Sequence, residues 1–443
     1  MKEISYLQTD YQTMSDLRIL STGPGSGSIY DIYNKAATRG GQQLLAELFR
    51  KPLGSATAIA RRSSIIAHFA GLSSGFIFEA GQLDLVEKYL DTAEESGNRR
   101  SHRTNRLDER EMAEAVIATV RIVQQLHQFV SSAAVAGMEP YREEREAIVA
   151  LLQTPALQPL LSLSPSSRLS FGAVSAYDTL LRVNEPTVII RLLKYIYYID
   201  VYMSVAMVAR EKGYCFATIK DTDGCTLQLT GVFYPQLKHP VVNNLHMSEN
   251  GNLLFLTGAN MAGKSTFLRA IATALYIAHV GFPVAASEMV FSVVDGLYTT
   301  INLPDNLGTG ASHFYAEVLR VKKMAAGLAA GKRLFVIFDE LFRGTNVKDA
   351  EEGTVIISAA FSRWKNSLFV VSSHIVEAAD SLRKEPTVLF SYLPTNMHGN
   401  KPEYTYKLTP GTTADRHGML IIQNEGVLEI LRGNSKGKAA PIT

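Results

Sequence analysis

The sequence predicts an α/β nucleotide-binding fold preceded by an all-helical region. Two observations carry this. Up to about residue 212, apolar residues recur at spacings of three and four, as on one face of a helix. From "GYCFATI" onward, short apolar runs alternate with helical stretches, the grammar of an α/β domain. The division predicted is a helical domain over 1–213, an α/β domain over 214–431 and a disordered tail over 432–443, where "RGNSKGKAAPIT" is small and polar.

In the first part, "AATRGGQQLLAELFRK" (36–51), "ATAIARRSSIIAHFAG" (56–71) and "RLDEREMAEAVIATVRIVQQLHQFV" (106–130) read as amphipathic helices. "STGPGSGS" (21–28) reads as a flexible loop, and without a Lys it has no phosphate role; "SLSPSSRLS" (162–170) reads as a linker. The most membrane-like stretch, 191–209, carries Lys194 and Asp200 inside it, so a packed helix is expected and no membrane partner.

Composition narrows the function classes. The 443 residues hold 44 Lys and Arg against 42 Asp and Glu, a net charge of +2. That is not the basic excess of a protein that binds nucleic acid by phosphate neutralisation alone. The basic cluster "NRRSHRTNR" (98–106) reads as a solvated loop between helices. Two cysteines, Cys215 and Cys225, exclude a disulfide framework, and no metal-type spacing surrounds them. With no apolar signal core at the N-terminus, the expected location is cytoplasmic.

The chemistry concentrates in the second part. "TGANMAGKST", from Thr257 to Thr266, fits the phosphate-loop spacing G-x-x-x-x-G-K-[ST] through Gly258, Gly263, Lys264 and Ser265. The glycines let backbone N–H groups curl round an anion. Lys264 would reach the β- and γ-phosphates of ATP, and the Ser265 hydroxyl would bind Mg²⁺. "NLLFLTG" before the loop suits a buried parallel strand, and "KSTFLRAIATALYIAHV" after it is helical, so the phosphates would sit at a helix N-terminus. The fold expected is thus that of a P-loop NTPase.

"RLFVIFDEL" (333–341) is an unbroken apolar run ending in Asp339 and Glu340. A strand buried on both faces requires such a run, and its C-terminal end is where α/β ligands sit. Asp339 would join the Mg²⁺ shell and Glu340 would polarise the attacking water. A carboxylate beside the Mg²⁺ ligand suits hydrolysis better than phosphotransfer to a substrate hydroxyl. "NSLFVVSSH" (366–374) is the next buried strand, and His374 at its end is the candidate γ-phosphate sensor.

Together "TGANMAGKSTFLRAIA", "GTGASHFYAEVLR", "FDELFRGTN" and "SSHIVEAADSL" resemble the ATPase domain of the MutS family of mismatch-repair proteins. The family's loop pattern, Gly-Pro-Asn-Met-x-Gly-Lys-Ser-Thr, is matched except for its Pro, which here is Ala259. Asn260, Thr266 and His374 match the loop Asn, the loop Thr and the switch His; Arg343, Gly344 and Thr345 match the family's Arg-Gly-Thr. The signature Ser-Thr-Phe-x-x-Glu corresponds to Ser312, His313, Phe314 and Glu317, with His in place of Thr. "KHPVV" (238–242) resembles the family's basic-His-Pro leading strand. More weakly, 27–53 is similar to the opening of the family's helical core domain, and 195–214 to its last lever helix.

The resemblance implies an ABC-type ATPase domain preceded by an all-α core and lever domain. It implies a homodimer with shared sites, Ser312 touching the γ-phosphate bound to the partner chain. It further implies a DNA-binding switch of mismatch repair, with a repair-protein partner, whose nucleotide state moves the lever. The core begins almost at Met1, no β-rich clamp insertion is evident, little follows 415–431, and His417 stands where the family usually has Tyr. "GFIFEAG" (75–81) is no Phe-x-Glu wedge, because Phe78 adjoins Glu79 and Phe76 lies three before it. The expectation is a reduced relative that binds DNA weakly or by structure and does not read mismatches. The alternative is a nucleotide-gated assembly ATPase acting on a protein partner.

Overall fold

A computed structural model of the chain describes residues 5–20, 27–72, 75–97, 108–163, 169–220, 224–301, 313–398, 401–413 and 425–431. The basic cluster, the predicted tail, Ser312, His417 and most of the glycine-rich and serine-rich segments lie outside the described residues.

The first half is helical. Its elements are α1 (Tyr11–Asp16), α2 (Ile29–Tyr33), α3 (Arg39–Arg50), α4 (Ala56–Ala70), α5 (Ala80–Gly97), α6 (Glu109–Ser131) and α7 (Ala133–Ala136). After these come α8 (Arg142–Leu152), α9 (Gln158–Leu161), α10 (Phe171–Asp178) and α11 (Pro186–Lys212). Side-chain oxygens cap several of these helices. Thr38 and Ser55 accept from the third N–H of α3 and α4, and Asp108 forms a reciprocal capping box with Glu111 on α6.

Pro186–Lys212 is long and apolar enough to cross a membrane, but 67% of its most apolar window is buried in the protein. Asp200 explains why it packs here. Its buried carboxylate accepts from the backbone N–H groups of Ala37 and Thr38, at 3.0 and 2.9 Å, and from the Thr38 hydroxyl. Burial pushes its pKa up, and those three bonds oppose that. One charged residue in the middle of an apolar helix thus fixes the start of α3. Phe76 and Phe78 meet in a tilted contact, ring centroids 5.3 Å apart, with Phe78 buried in the core beside α5.

The second half holds two larger sheets and a hairpin. Strands β1 (Thr218–Ile219), β2 (Leu227–Val232), β3 (Asn243–Met247), β4 (Leu253–Thr257), β5 (Glu288–Phe291) and β6 (Gly296–Thr300) precede β7 (Leu334–Asp339) and β8 (Leu368–Ser372). The last are β9 (Val388–Tyr392), β10 (Thr395–His398), β11 (Lys401–Tyr404) and β12 (Thr409–Pro410). The six-stranded sheet runs β12-β9-β4-β8-β7-β6, parallel except for β12; a four-stranded sheet runs β1-β5-β2-β3; β10 and β11 pair antiparallel. Helices α12 (Lys264–Val280), α13 (His313–Ala329), α14 (Val347–Phe361), α15 (Val376–Leu382) and α16 (Val427–Leu431) complete the described elements of the half.

Residues 238–242 depart from expectation: they form an irregular approach to β3 and no strand. Pro240 lacks the N–H that a ladder would use.

Alternation along the strands shows how the sheet is buried. Leu254, Leu256, Phe335 and Ile337 face α12 and a core continuous with the helical half. Leu253, Phe255, Val336 and Phe338 face a second cluster with Met324, Phe361 and Leu382 from the helices opposite.

The N-terminal segment belongs spatially with the sheet. Gln8 bridges Gly296 on β6, and Thr299 and Ile301 donate to the buried Asp16 at 2.8 and 2.9 Å. Asp10 meets Arg320 and Lys323 of α13 at 3.2 and 2.9 Å. Burial alone would raise the Asp10 pKa, but Lys323, Arg320 and the bonds from Thr13 hold it at about 2. The boundary expected at 213 therefore does not separate the first twenty residues from the α/β half.

Candidate functional site

The site begins where β4 ends. Its five residues are all buried, so the chain emerges at Thr257 from the middle of the sheet and turns through 258–263 into α12. Gly263 has φ 98°, and a Cβ there would come within 2.9 Å of the Tyr406 ring, so glycine alone fits. Lys264 is 6% exposed. Its ammonium donates to the carbonyls of Gly258 and Ala259 at 2.8 and 3.2 Å, closing the loop on itself. Burial pushes its pKa down, opposed by Glu340 and Asp339.

Two strands away, Asp339 ends β7. Its carboxylate accepts from the Ser265 hydroxyl on Oδ2 and from the Ser372 hydroxyl on Oδ1. Glu340 follows in a left-handed conformation, φ 57°. That turn carries its carboxylate out of the strand, with Oε2 3.4 Å from Arg343 and Oε1 3.8 Å from His374 Nδ1. His374 stands two residues beyond β8 and is exposed. Met261, Phe342 and Tyr406, at φ 69°, 65° and 54°, are left-handed too, so non-glycine residues in sparsely populated backbone surround this place.

A cleft of about 900 Å³ opens over the loop. Asn260, Gly263, Lys264, Ser265, Thr266, Glu340 and Arg343 line its polar end. Gly258 lies at the base of the loop, behind Lys264. The structure thus brings together every predicted site residue that it describes; Ser312 lies outside the described residues.

Sequence reasoning missed the other end of the cleft. Phe233, Tyr234, Leu237, Val241 and Tyr406 line it. Asn243 holds that wall: its amide donates to Tyr406 O at 3.0 Å, and its carbonyl accepts from the Leu408 N–H at 2.7 Å. The "KHPVV" stretch pointed towards this wall, but Tyr406 lies in a loop with no pattern around it. Ser372 was missed as well, though its neighbour His374 was not.

The donor set suits a hard cation. A hydroxyl and a carboxylate meet at the mouth of the loop, and both are oxygen ligands of the kind Mg²⁺ takes together with phosphate oxygens. Among the described residues there is no group of three or more His, Cys, Asp or Glu that could hold a metal ion.

A loop thus runs from a buried strand into a helix, with an acidic strand end beside it, in a protein of the α/β class. Residues 254–437 match the family described as MutS domain V. Over 262 residues the chain is 27% identical to the DNA mismatch repair protein MutS of Persephonella marina (strain DSM 14350 / EX-H1), covering 57% of this chain and 30% of that protein. Most of the α/β half is thus similar to domain V of the MutS family. The chain spans less than a third of the length of the curated relative it matches.

Proposed function

We propose that the protein is an ATP-hydrolysing switch of the mismatch-repair type, in which bound nucleotide alters the helical half and its grip on DNA. The observation that carries this reading is the meeting of Ser265 and Asp339 beneath a loop whose lysine is buried. Among arrangements of these residue types, it is the one that a P-loop NTPase requires.

On nucleotide binding, Lys264 would exchange the carbonyls of Gly258 and Ala259 for β- and γ-phosphate oxygens. Main-chain N–H groups of 260–266, at the positive end of α12, would hold the remaining oxygens. Ser265 and Asp339 would hold Mg²⁺, which supplies positive charge to the phosphates when bound. Glu340 would orient the attacking water and accept its proton, while His374 would face the γ-phosphate. Asn260 and Thr266 would complete the phosphate shell. The family likeness assigns Ser312 to the site of a second copy of this chain, so a homodimer would be the hydrolysing form.

The nearly balanced charge favours a second reading, in which the switch acts on a protein partner. A salt titration of DNA binding, with and without ATP, separates the two. Phosphate contacts would give an affinity falling steeply with salt and altered by ATP. No measurable DNA binding at low salt in either state would leave the protein-partner reading. A competition between a G·T duplex, its matched twin and a four-way junction further tests selectivity. Preference for the junction, and none between the two duplexes, is the outcome expected of a binder of DNA shape.

A further inference from the structure

Ser372 is the last residue of β8 and fully buried. In the parallel ladder it is the register partner of Asp339 on one side and of Leu256 on the other. Residues in register on neighbouring strands put their side chains on the same face. The Ser372 hydroxyl therefore lies beside the Asp339 carboxylate and donates to Oδ1, while Ser265 donates to Oδ2.

The same residue makes two contacts to the start of the following turn. The Glu340 N–H donates to Ser372 O at 3.0 Å and lies 3.3 Å from Ser372 Oγ. Glu340 is where the chain leaves extended geometry for φ 57°. The next serine acts elsewhere: Ser373 Oγ accepts from the Ile375 N–H at 3.0 Å. Of this serine pair, only Ser372 serves the acidic strand end.

Resting on the nucleotide-binding reading above, we infer that Ser372 is a positioning residue for the Mg²⁺ site, fixing the rotation of the Asp339 carboxylate. A carboxylate turns freely about its bond to the β-carbon unless both oxygens are held. Ser265 holds one oxygen only until its hydroxyl is claimed by the cation. Ser372 belongs to a strand and keeps its hold in either state, so Asp339 presents Oδ2 to the ion without first having to be ordered. A second hydrogen-bonding partner behind a metal ligand acts in this way, and its removal weakens metal affinity about 10- to 100-fold.

The test uses the full chain and a fluorescent ATP analogue, titrated with Mg²⁺. The variants are Ser372→Ala, which removes the hydroxyl, and Ser372→Cys, which fills the space with a poor donor. For both, the Mg²⁺ concentration for half-maximal binding should rise about 10-fold, and nucleotide affinity in EDTA should stay that of the parent. Half-saturation within about twofold of the parent in both would overturn the inference. So would recovery in Ser372→Cys alone, which would mark a packing role, or an equal loss in EDTA. Should Ser372→Ala fail to fold, the filled Ser372→Cys variant carries the test. A parent chain that binds no nucleotide at all would instead take down the reading beneath, a distinct result.

Discussion

The two ends of α12 differ in kind. At its N-terminus, Lys264 and Ser265 make polar contacts that a ligand can take over, inside an open cleft. At its C-terminus the helix is fastened to the helical half. The Tyr276 hydroxyl donates to Phe49 O, and Arg62 donates to Val280 O at 2.7 Å. His279 and Leu53 hold each other twice: the Leu53 N–H donates to His279 O at 2.7 Å, and the His279 ring meets Leu53 O at 2.8 Å. Gly281, φ 81°, ends the helix against the Arg62 stem, where a Cβ would lie at 3.2 Å. The contacts at the loop end are thus open to exchange with a ligand, and those at the far end tie the helix to the rest of the protein.

Substitutions at the open end should therefore change ligand chemistry and leave stability alone. Glu340→Gln should lower the hydrolysis rate by about 10²- to 10⁴-fold while keeping ATP affinity, because the amide cannot accept the water's proton. Steady-state rates beside equilibrium binding check this, and a parent-like rate would remove Glu340 from the chemistry. Lys264→Ala should weaken ATP binding about 100-fold, as expected for loss of one partner of a buried charge pair. Its melting temperature should stay at or above that of the parent, since the cation it removes is held against a desolvation cost.

The fastened end should show the reverse. His279 is fully buried, and Leu53 O can only accept while the Val294 N–H can only donate, so the ring is neutral with its hydrogen on Nδ1. Burial pushes its pKa down from 6.5 to about 4. The unfolded chain thus takes a proton that the folded one refuses. This contribution is complete above pH 6.5 and declines as pH falls towards 4. The loss should amount to about 3 kcal/mol. Urea unfolding across that range should show the decline, and His279→Gln should flatten it; an unchanged slope would assign the acid sensitivity elsewhere. The smallest effect is expected for Tyr276→Phe, which leaves Phe49 O without a donor at a cost of about 1 kcal/mol. Nucleotide affinity measured in the same variant should not change. If it did, the two ends would be less separate than their contacts indicate.

The open end was legible in the sequence and the fastened end was not, for a physical reason. A phosphate loop needs glycine, lysine and serine at fixed spacing, and strands buried on both faces need unbroken apolar runs. β4, β7 and β8 accordingly stand where "LLFLT", "LFVIFD" and "LFVVS" put them. Tyr276, His279 and Arg62 act through partners more than two hundred residues away, and no spacing rule records such pairs. Asp16 and Asp10 bind across 285 and 310 residues in the same manner, which is why a boundary drawn from composition missed the N-terminal segment. Ser372 is intermediate. Its strand was legible, but its task depends on a register with β7 that only pairing fixes.

β6 is an outer strand of the six-stranded sheet, pairing with β7 on one side. On the other, the Leu297 N–H donates to Gln8 O at 2.9 Å and the Gln8 N–H to Asp295 O at 2.8 Å. Bare strand margins recruit foreign strands, and the resulting stacks can grow into aggregates. The opening residues of this chain therefore act as a selvedge, finishing a flank of the sheet that would otherwise invite another molecule to add to it.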